Sequence, residues 1–210
     1  MGQIALPLAP AGTGPARIVI GAANEHIAAA LAAPETWPYR TAILTGAPRS
    51  GKSLLARWFA QSGQGEFGGE FRGEALDDAQ ALDETALFHR WNRAQEHGTA
   101  LLLVGGQTPW NITLPDLRSR LGAALQLEIG QPDDAMAHDL LLSLGAERGL
   151  ALGADAAAYL VPRAGRSQAA LERLVLAIDR LSLERKAAPT LAIWRAALEE
   201  VVGPDEPWLL

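Results

Sequence analysis

The sequence predicts an α/β fold in which a parallel sheet is flanked by helices and followed by a small all-helical subdomain. Apolar strand-like runs alternate with helical runs as far as residue 131, which is typical of a parallel sheet covered by helices. Beyond residue 132 only helical patterns remain. A glycine-rich loop at residues 46–53 joins a strand to a helix, and it is also the strongest indication of function.

Each element has its own apolar run or helical periodicity. The expected strands cover residues 18–20, 41–45, 74–77, 100–104 and 125–129. The expected helices cover about residues 24–33, 54–60, 84–96, 133–148, 155–161, 167–184 and 191–202. Asp133 and Ser167 precede two of these helices and are expected to be N-caps.

The pattern divides the chain into four segments. These are a binding peptide and flexible linker at 1–16, the α/β subdomain at 17–131, the helical subdomain at 132–203 and an apolar tail at 204–210. With 210 residues and 49% hydrophobic content, the chain can bury a substantial core. We expect the tail either to pack on the body or to meet a partner.

Composition excludes several functions. The chain has no cysteine, which removes disulfides, thiolate metal sites and cysteine nucleophiles. A net charge of −6 argues against a broad nucleic-acid surface, so contact with DNA is expected to be indirect. No run of about 18 apolar residues and no signal-peptide pattern is apparent, so we expect no membrane contact and a cytoplasmic location.

The glycine-rich loop fits the pattern G-x-x-x-x-G-K-[ST] of a phosphate-binding P-loop. Its residues are Gly46, Ala47, Pro48, Arg49, Ser50, Gly51, Lys52 and Ser53. Lys52 would meet the β- and γ-phosphates, Ser53 would offer a hydroxyl to Mg²⁺, and the helix continuing through Leu54 would direct its N-terminus at the phosphates. The loop predicts binding of ATP or ADP with Mg²⁺, and the alternative is a glycine-rich turn without a ligand.

An acidic pair follows the strand at 74–77. Asp77 would serve the metal and Asp78 would position the attacking water, as P-loop enzymes require. The alternative is an acidic turn that caps a helix. After the strand at 100–104, Gly105 stands where many P-loop proteins place a polar sensor, with Gln107 or Thr108 as substitutes. The sequence therefore predicts slow intrinsic hydrolysis.

Two arginines, Arg118 and Arg120, lie at the end of a predicted helix just before the strand at 125–129. A guanidinium inserted into a neighbour's site stabilises charge on a transferred phosphoryl group. From the residues alone, a solvated pair of surface charges is the favoured alternative.

The N-terminal peptide is apolar, begins with a glutamine and is followed by a linker that separates it from the fold. Its residues are Gln3, Ile4, Ala5, Leu6, Pro7 and Leu8. Such a peptide can dock in extended form, with the amide setting the register and Leu6 and Leu8 filling pockets. The alternative is a disordered or β-edge start.

These motifs together resemble the DnaA-type AAA+ proteins along nearly the whole chain. The matching segments are the strand and Gly-x-x-Asn at 18–24, Pro34 and Tyr39, the acidic motif at 76–80, the helix at 87–92 and the arginine box at 114–121. The resemblance implies that the region of Asn24 lines the adenine pocket and that Arg120 is an arginine finger. The family's lid sensor arginine falls on Ala169 here, so Arg166 or Arg173 is expected to take its place.

The peptide at 3–8 resembles the clamp-binding peptide of the Hda-like family of DnaA inactivators. Because the sequence stops soon after the helical lid, the resemblance leads us to expect a protein without an origin-reading domain. This resemblance implies a protein tethered to the DNA-loaded DNA polymerase III sliding clamp that presents Arg120 to ATP-bound DnaA. It would thereby prevent over-initiation of replication and have little ATPase activity of its own. Whether the chain also forms a homo-oligomer stays open at this stage.

Two other functions stay open at this stage. A helicase loader of the DnaC or IstB kind would share the P-loop, the acidic pair and the finger, but would need a helicase-binding segment instead of a clamp peptide. A stand-alone small-molecule kinase would need further arginines around a substrate pocket.

Overall fold

A computed structural model describes residues 5–7, 17–62, 73–106 and 110–203. These residues form two compact units. The α/β unit comprises the described part of residues 24–130, and the helical unit comprises the described parts of residues 1–23 and 131–210.

Strands and helices follow the order that the sequence predicts. The described strands are β1 (Ala5–Pro7), β2 (Arg17–Val19), β3 (Thr41–Gly46), β4 (Gly73–Leu76), β5 (Ala100–Val104) and β6 (Leu125–Ile129). The described helices are α1 (Glu25–Ala32), α2 (Lys52–Ser62), α3 (Glu84–Glu96), α4 (Pro115–Gly122), α5 (Asp134–Glu147), α6 (Ala154–Ala164), α7 (Gln168–Arg185) and α8 (Leu191–Val202).

In the α/β unit, the described strands form one parallel sheet with the order β4-β5-β3-β6. Every residue of β3 and β5 is buried, which explains why their sequences are continuous apolar runs and do not alternate with polar residues. Leu87 and Trp91 of α3 and Leu117 and Leu121 of α4 pack in one core cluster with strand residues of this sheet. The predicted parallel sheet flanked by helices is therefore confirmed.

The first predicted strand does not belong to this sheet. Its residues form β2, which pairs antiparallel with β1 so that Leu6 lies opposite Ile18. β2 contacts α5, and Val19 packs against the core of the helical unit. Residues 17–23 therefore group with the helical unit, whereas the sequence assigned them to the α/β subdomain.

The helical unit is built by the four predicted helices α5, α6, α7 and α8. Their buried leucines, alanines and other apolar side chains form a single core cluster. Both predicted N-caps are confirmed, because Asp133 accepts a hydrogen bond from the Met136 N–H at 2.8 Å and Ser167 accepts one from the Ala170 N–H at 3.2 Å. None of the described helices is both long and apolar enough to cross a bilayer.

Candidate functional site

The P-loop joins β3 to α2 through two glycines with unusual backbone angles. Gly46 has φ +152° and Gly51 has φ +93°, a region that other residues rarely adopt. A Cβ atom at Gly46 would also lie 3.1 Å from both Ile129 Cβ and Ser50 Oγ. A glycine is thus required at position 46, because another residue would strain the backbone and its Cβ would crowd Ile129 and Ser50.

Between these glycines the main chain makes a tight turn before the helix begins. Arg49 lies in the left-handed region with φ +60°. The carbonyl oxygen of Gly51 accepts hydrogen bonds from the N–H groups of Leu54 and Leu55, both at 3.1 Å. A turn with a left-handed residue that leads into a helix N-terminus is a backbone arrangement that binds anions.

The side chain of Lys52 folds back over the loop. Its Nζ donates to the carbonyl oxygens of Gly46 at 3.0 Å and Ala47 at 2.7 Å. Burial lowers the pKa of Lys52 below its usual value, while the carboxylates of Asp77 and Asp78 act in the opposite direction. The lysine and the acidic pair therefore lie within electrostatic reach of one another.

The acidic pair lies at the same edge of the sheet as the P-loop because β4 is parallel to β3, with β5 between them. Carboxyl ends of parallel strands meet at the same edge of a sheet, and Asp77 and Asp78 follow β4 directly. Both side chains are exposed, and Asp77 Oδ1 accepts from the Asp78 N–H at 3.1 Å. Asp78 precedes a short 3₁₀ turn but forms no side-chain cap there, whereas Asp83 caps α3 through the Ala86 N–H at 2.8 Å.

The loop fits the phosphates of a nucleotide. A Cβ at Gly46 would occupy space inside the loop, and the buried Oγ of Ser50 has no hydrogen-bond partner among the residues that the structure describes. Ser53 is exposed in the first turn of α2, where a hydroxyl can reach a hydrated Mg²⁺ held by phosphate oxygens. Lys52 and the acidic pair complete a set of groups suited to polyphosphate and Mg²⁺.

Gly105, the residue at the expected sensor position, has a packing reason to be glycine. A Cβ there would lie 2.1 Å from Gln80 Oε1 and 2.4 Å from Trp110 Cζ2, so these two side chains occupy the space. Gln80 Oε1 also accepts from the Gly106 N–H at 3.3 Å. The substitutes Gln107 and Thr108 lie outside the described residues.

Arg118 braces the segment that leads into α4. Its Nε and Nη2 donate to the Ile112 carbonyl oxygen at 2.8 and 2.5 Å. From the other side, the Glu84 carboxylate accepts from Thr113 N–H and Oγ1, both at 2.8 Å, and from Leu114 N–H at 2.6 Å. These bonds hold the pKa of Glu84 below its usual value. Arg118 therefore has a structural role.

Arg120 is held by three side chains of α3. Its guanidinium lies over the rings of Phe88 and Trp91, 4.4 Å from each ring centre, and Nη1 donates to Asn92 Oδ1. Arg120 is partly buried. Arg118 is exposed but hydrogen-bonded to its own loop, and Arg120 is partly buried against α3, so the two arginines do not form one solvated pair. The sequence contains no signal that pairs Arg120 with these three residues, since they are 28 to 32 positions away along the chain.

The other residues predicted for the nucleotide site are placed as follows. Asn24 is only 5% exposed and its carbonyl oxygen accepts from the Ala28 N–H at 2.9 Å, at the start of α1. Arg166 belongs to the helical unit, where its Nε pairs with Asp134 Oδ1 at 2.5 Å while both side chains stay exposed. Their contact with nucleotide stays a prediction.

The predicted docking peptide is described only in part. Gln3, Ile4 and Leu8 lie outside the described residues, as do most of the linker and the tail at 204–210. Residues 5–7 form β1 and pair with β2, so this part does not stand apart from the fold as the sequence suggested.

The fold and the loop together define a P-loop α/β domain followed by a helical subdomain, and no family model matches the sequence. Solved structures are nevertheless similar. Domain III of the replication initiator DnaA of Thermotoga maritima matches with a TM-score of 0.71 and 16% identity, over 89% of this chain and 95% of that one. The RuvB branch-migration motor of Thermotoga maritima matches with a TM-score of 0.63 and 20% identity, over 89% of this chain and 73% of that one.

A structure of DnaA bound to AMPPCP and single-stranded DNA also matches. Its TM-score is 0.62 at 18% identity, over 80% of this chain and 66% of that one. The chain therefore has a DnaA-like AAA+ fold, as the sequence predicted. At these identities the similarity extends to the fold alone.

Proposed function

We propose that this protein is a AAA+ regulator that inactivates the replication initiator DnaA. It docks on ATP-bound DnaA, presents Arg120 to that nucleotide and accelerates its hydrolysis, which prevents over-initiation. The observation that carries the proposal is the contrast between the two arginines of α4. Arg118 is committed to the carbonyl oxygens before the helix, whereas Arg120 is oriented by two aromatic rings and one amide oxygen.

An oriented guanidinium suits a role in trans. Its planar fork can bond two phosphate oxygens at once, and it keeps its charge at any physiological pH. The rings of Phe88 and Trp91 restrict its orientation before a partner arrives, so less side-chain entropy is lost when it engages a phosphate. The charge that develops on the transferred phosphoryl group is what such an arginine stabilises.

The chain's own P-loop binds ADP or ATP in this proposal. Lys52 and the loop main chain would hold the phosphates, Ser53 and Asp77 would hold Mg²⁺, and Asp78 would position the attacking water. When bound, the metal would neutralise charge on the phosphate oxygens. Asn24 would line the base pocket and Arg166 would approach from the lid. Gly105 supplies no sensor side chain, which supports a nucleotide that acts mainly as a structural ligand.

The peptide at residues 3–8 would tether the protein to the DNA-loaded sliding clamp, so that DNA is contacted only through the clamp. Gln3 would set the register, and Ile4, Leu6, Pro7 and Leu8 would supply the apolar contacts. Residues 5–7 are extended in β1, where they pair with β2, so binding to the clamp in extended form would keep their conformation but replace that pairing.

The test is the hydrolysis of ATP bound to DnaA in the presence of clamp-loaded DNA. Arg120→Ala should lose stimulation by about 10³-fold or more. Arg120→Lys should recover little, because an ammonium lacks the planar fork. Gln3→Ala should reduce stimulation only when the clamp is present.

Arg93→Ala is the matched control, since Arg93 is an exposed arginine on α3, and it should leave the rate unchanged. A wild-type chain that gives no stimulation would overturn the proposal.

A further inference from the structure

Tyr39, just before β3, is an exposed aromatic residue on an unusual backbone. The residue as a whole is 61% exposed. Tyr39 has φ +51° and the next residue, Arg40, has φ +46°, so two successive bulky residues are left-handed. Such residues rarely adopt this conformation, and it persists only where the surroundings hold it.

Three hydrogen bonds hold this turn in place. The Tyr39 carbonyl oxygen accepts from Gln95 Nε2 at 2.7 Å and from Thr41 Oγ1 at 2.9 Å. Arg40 Nη1 donates to the Gly98 carbonyl oxygen at 2.7 Å. The turn is thus tied to α3 and to the residues that follow it, and the backbone from which the Tyr39 side chain extends is fixed.

Tyr39 and Arg120 contact the same indole. The Tyr39 ring centre lies 6.3 Å from that of Trp91, whose Nε1 donates to Thr41 Oγ1 at 3.1 Å. The Arg120 guanidinium lies 4.4 Å from the Trp91 ring centre. The sheet register explains this proximity, because Ala42 is opposite Leu125, and the chain entering β3 therefore runs beside the chain that follows α4.

We propose that Tyr39 is an affinity anchor for the same nucleotide-bound AAA+ partner that Arg120 contacts; this inference rests on the proposed function. Tyrosine and arginine are enriched among the residues that dominate binding energy. A tyrosine on a fixed backbone has only two side-chain torsions to order, so it loses little entropy when it is buried by a partner. The partner would offer a phosphate anion to Arg120 and an apolar surface to Tyr39.

The two residues should affect different kinetic quantities. Tyr39 contacts the partner's surface and not the reacting phosphoryl group. It therefore sets the concentration of this protein that gives half-maximal stimulation. Arg120 governs the rate once the complex has formed.

The experiment measures hydrolysis of DnaA-bound ATP as a function of the concentration of this protein. Tyr39→Asn removes the ring while keeping a residue that tolerates the left-handed region. It should raise the half-maximal concentration about tenfold or more and leave the maximal rate within about twofold. Tyr39→Phe should restore the wild-type curve, since it retains the ring.

Leu82→Ala is the matched control, because Leu82 is another exposed apolar residue of the α/β unit, at 44% exposure, and it should leave the curve unchanged. A Tyr39→Asn variant that melts like the wild type and keeps its half-maximal concentration would overturn the anchor alone. Absence of stimulation by the unsubstituted protein would overturn the proposed function and the anchor with it.

Discussion

The P-loop and the Arg120 region lie in the same α/β unit, yet they are organised by different means. The P-loop takes its shape from its own main chain, through the positive φ angles of Gly46, Arg49 and Gly51. Arg120 takes its position from side chains on another helix. The shape of the P-loop is therefore set by residues that are adjacent in the sequence, whereas the position of Arg120 depends on packing between helices.

The largest expected effect comes from the P-loop lysine. Lys52→Ala should weaken ADP and ATP binding by at least about 100-fold, or about 2.7 kcal/mol, because charge-assisted bonds to phosphate are lost. The sequence contains one other lysine, Lys186, which is the C-cap residue directly after α7. Lys186→Ala should leave affinity unchanged in a titration with fluorescent nucleotide. Equal losses in both variants would mean that the loop is not the binding site.

The next effect tests how tightly the end of β5 is packed. Gly105→Ala should lower the free energy of unfolding by about 1–3 kcal/mol, because its Cβ would clash with Gln80 and Trp110. Gly122→Ala is the control, since among the described residues no atom beyond its chain neighbours and its own helix backbone lies within 4 Å of a Cβ there. This helical position should gain up to about 1 kcal/mol. Urea unfolding measures both, and a neutral Gly105→Ala would show that the two side chains move aside easily.

A smaller effect is expected where aromatic rings hold Arg120. Phe88→Leu keeps an apolar side chain but removes the ring face, and should cost about 0.5–1 kcal/mol of cation–π attraction. Combining it with Arg120→Met in a double-mutant cycle isolates that interaction from lost packing. Strictly additive effects in urea unfolding would show that the ring does not stabilise the guanidinium.

The smallest effect concerns the carboxylate that braces the entry to α4. The pKa of Glu84 is lower in the folded state, so its stabilisation is complete above the ordinary glutamate pKa and is lost as pH falls through the lowered folded value. Glu84→Gln should therefore be less stable than the wild type at neutral pH. The difference should shrink below about pH 4 in urea midpoints measured across pH. If the stability difference between Glu84→Gln and the wild type does not vary with pH, the loss of stability comes from the changed side-chain geometry and not from the lost charge.

Local patterns predicted most of the fold. β5, β6, α3 and α8 have the bounds expected from their apolar runs and periodicity. Side-chain period and helix caps act over a few neighbouring residues, so they can be recognised in a single sequence. The strand at β2 was misassigned because apolar character marks a strand without indicating its partner.

For the candidate site, the sequence alone determined the P-loop and the acidic pair, since each is a contiguous motif whose residues have separate chemical tasks. The residue types alone marked Arg118 and Arg120 without distinguishing them, and only the family resemblance singled out Arg120 as the expected finger. Only the tertiary structure decided that Arg118 braces its own loop, that Arg120 lies against α3 and that Gln80 and Trp110 fill the space beside Gly105. The physical reason is that these contacts join residues distant in the chain, and folding alone brings them within bonding distance.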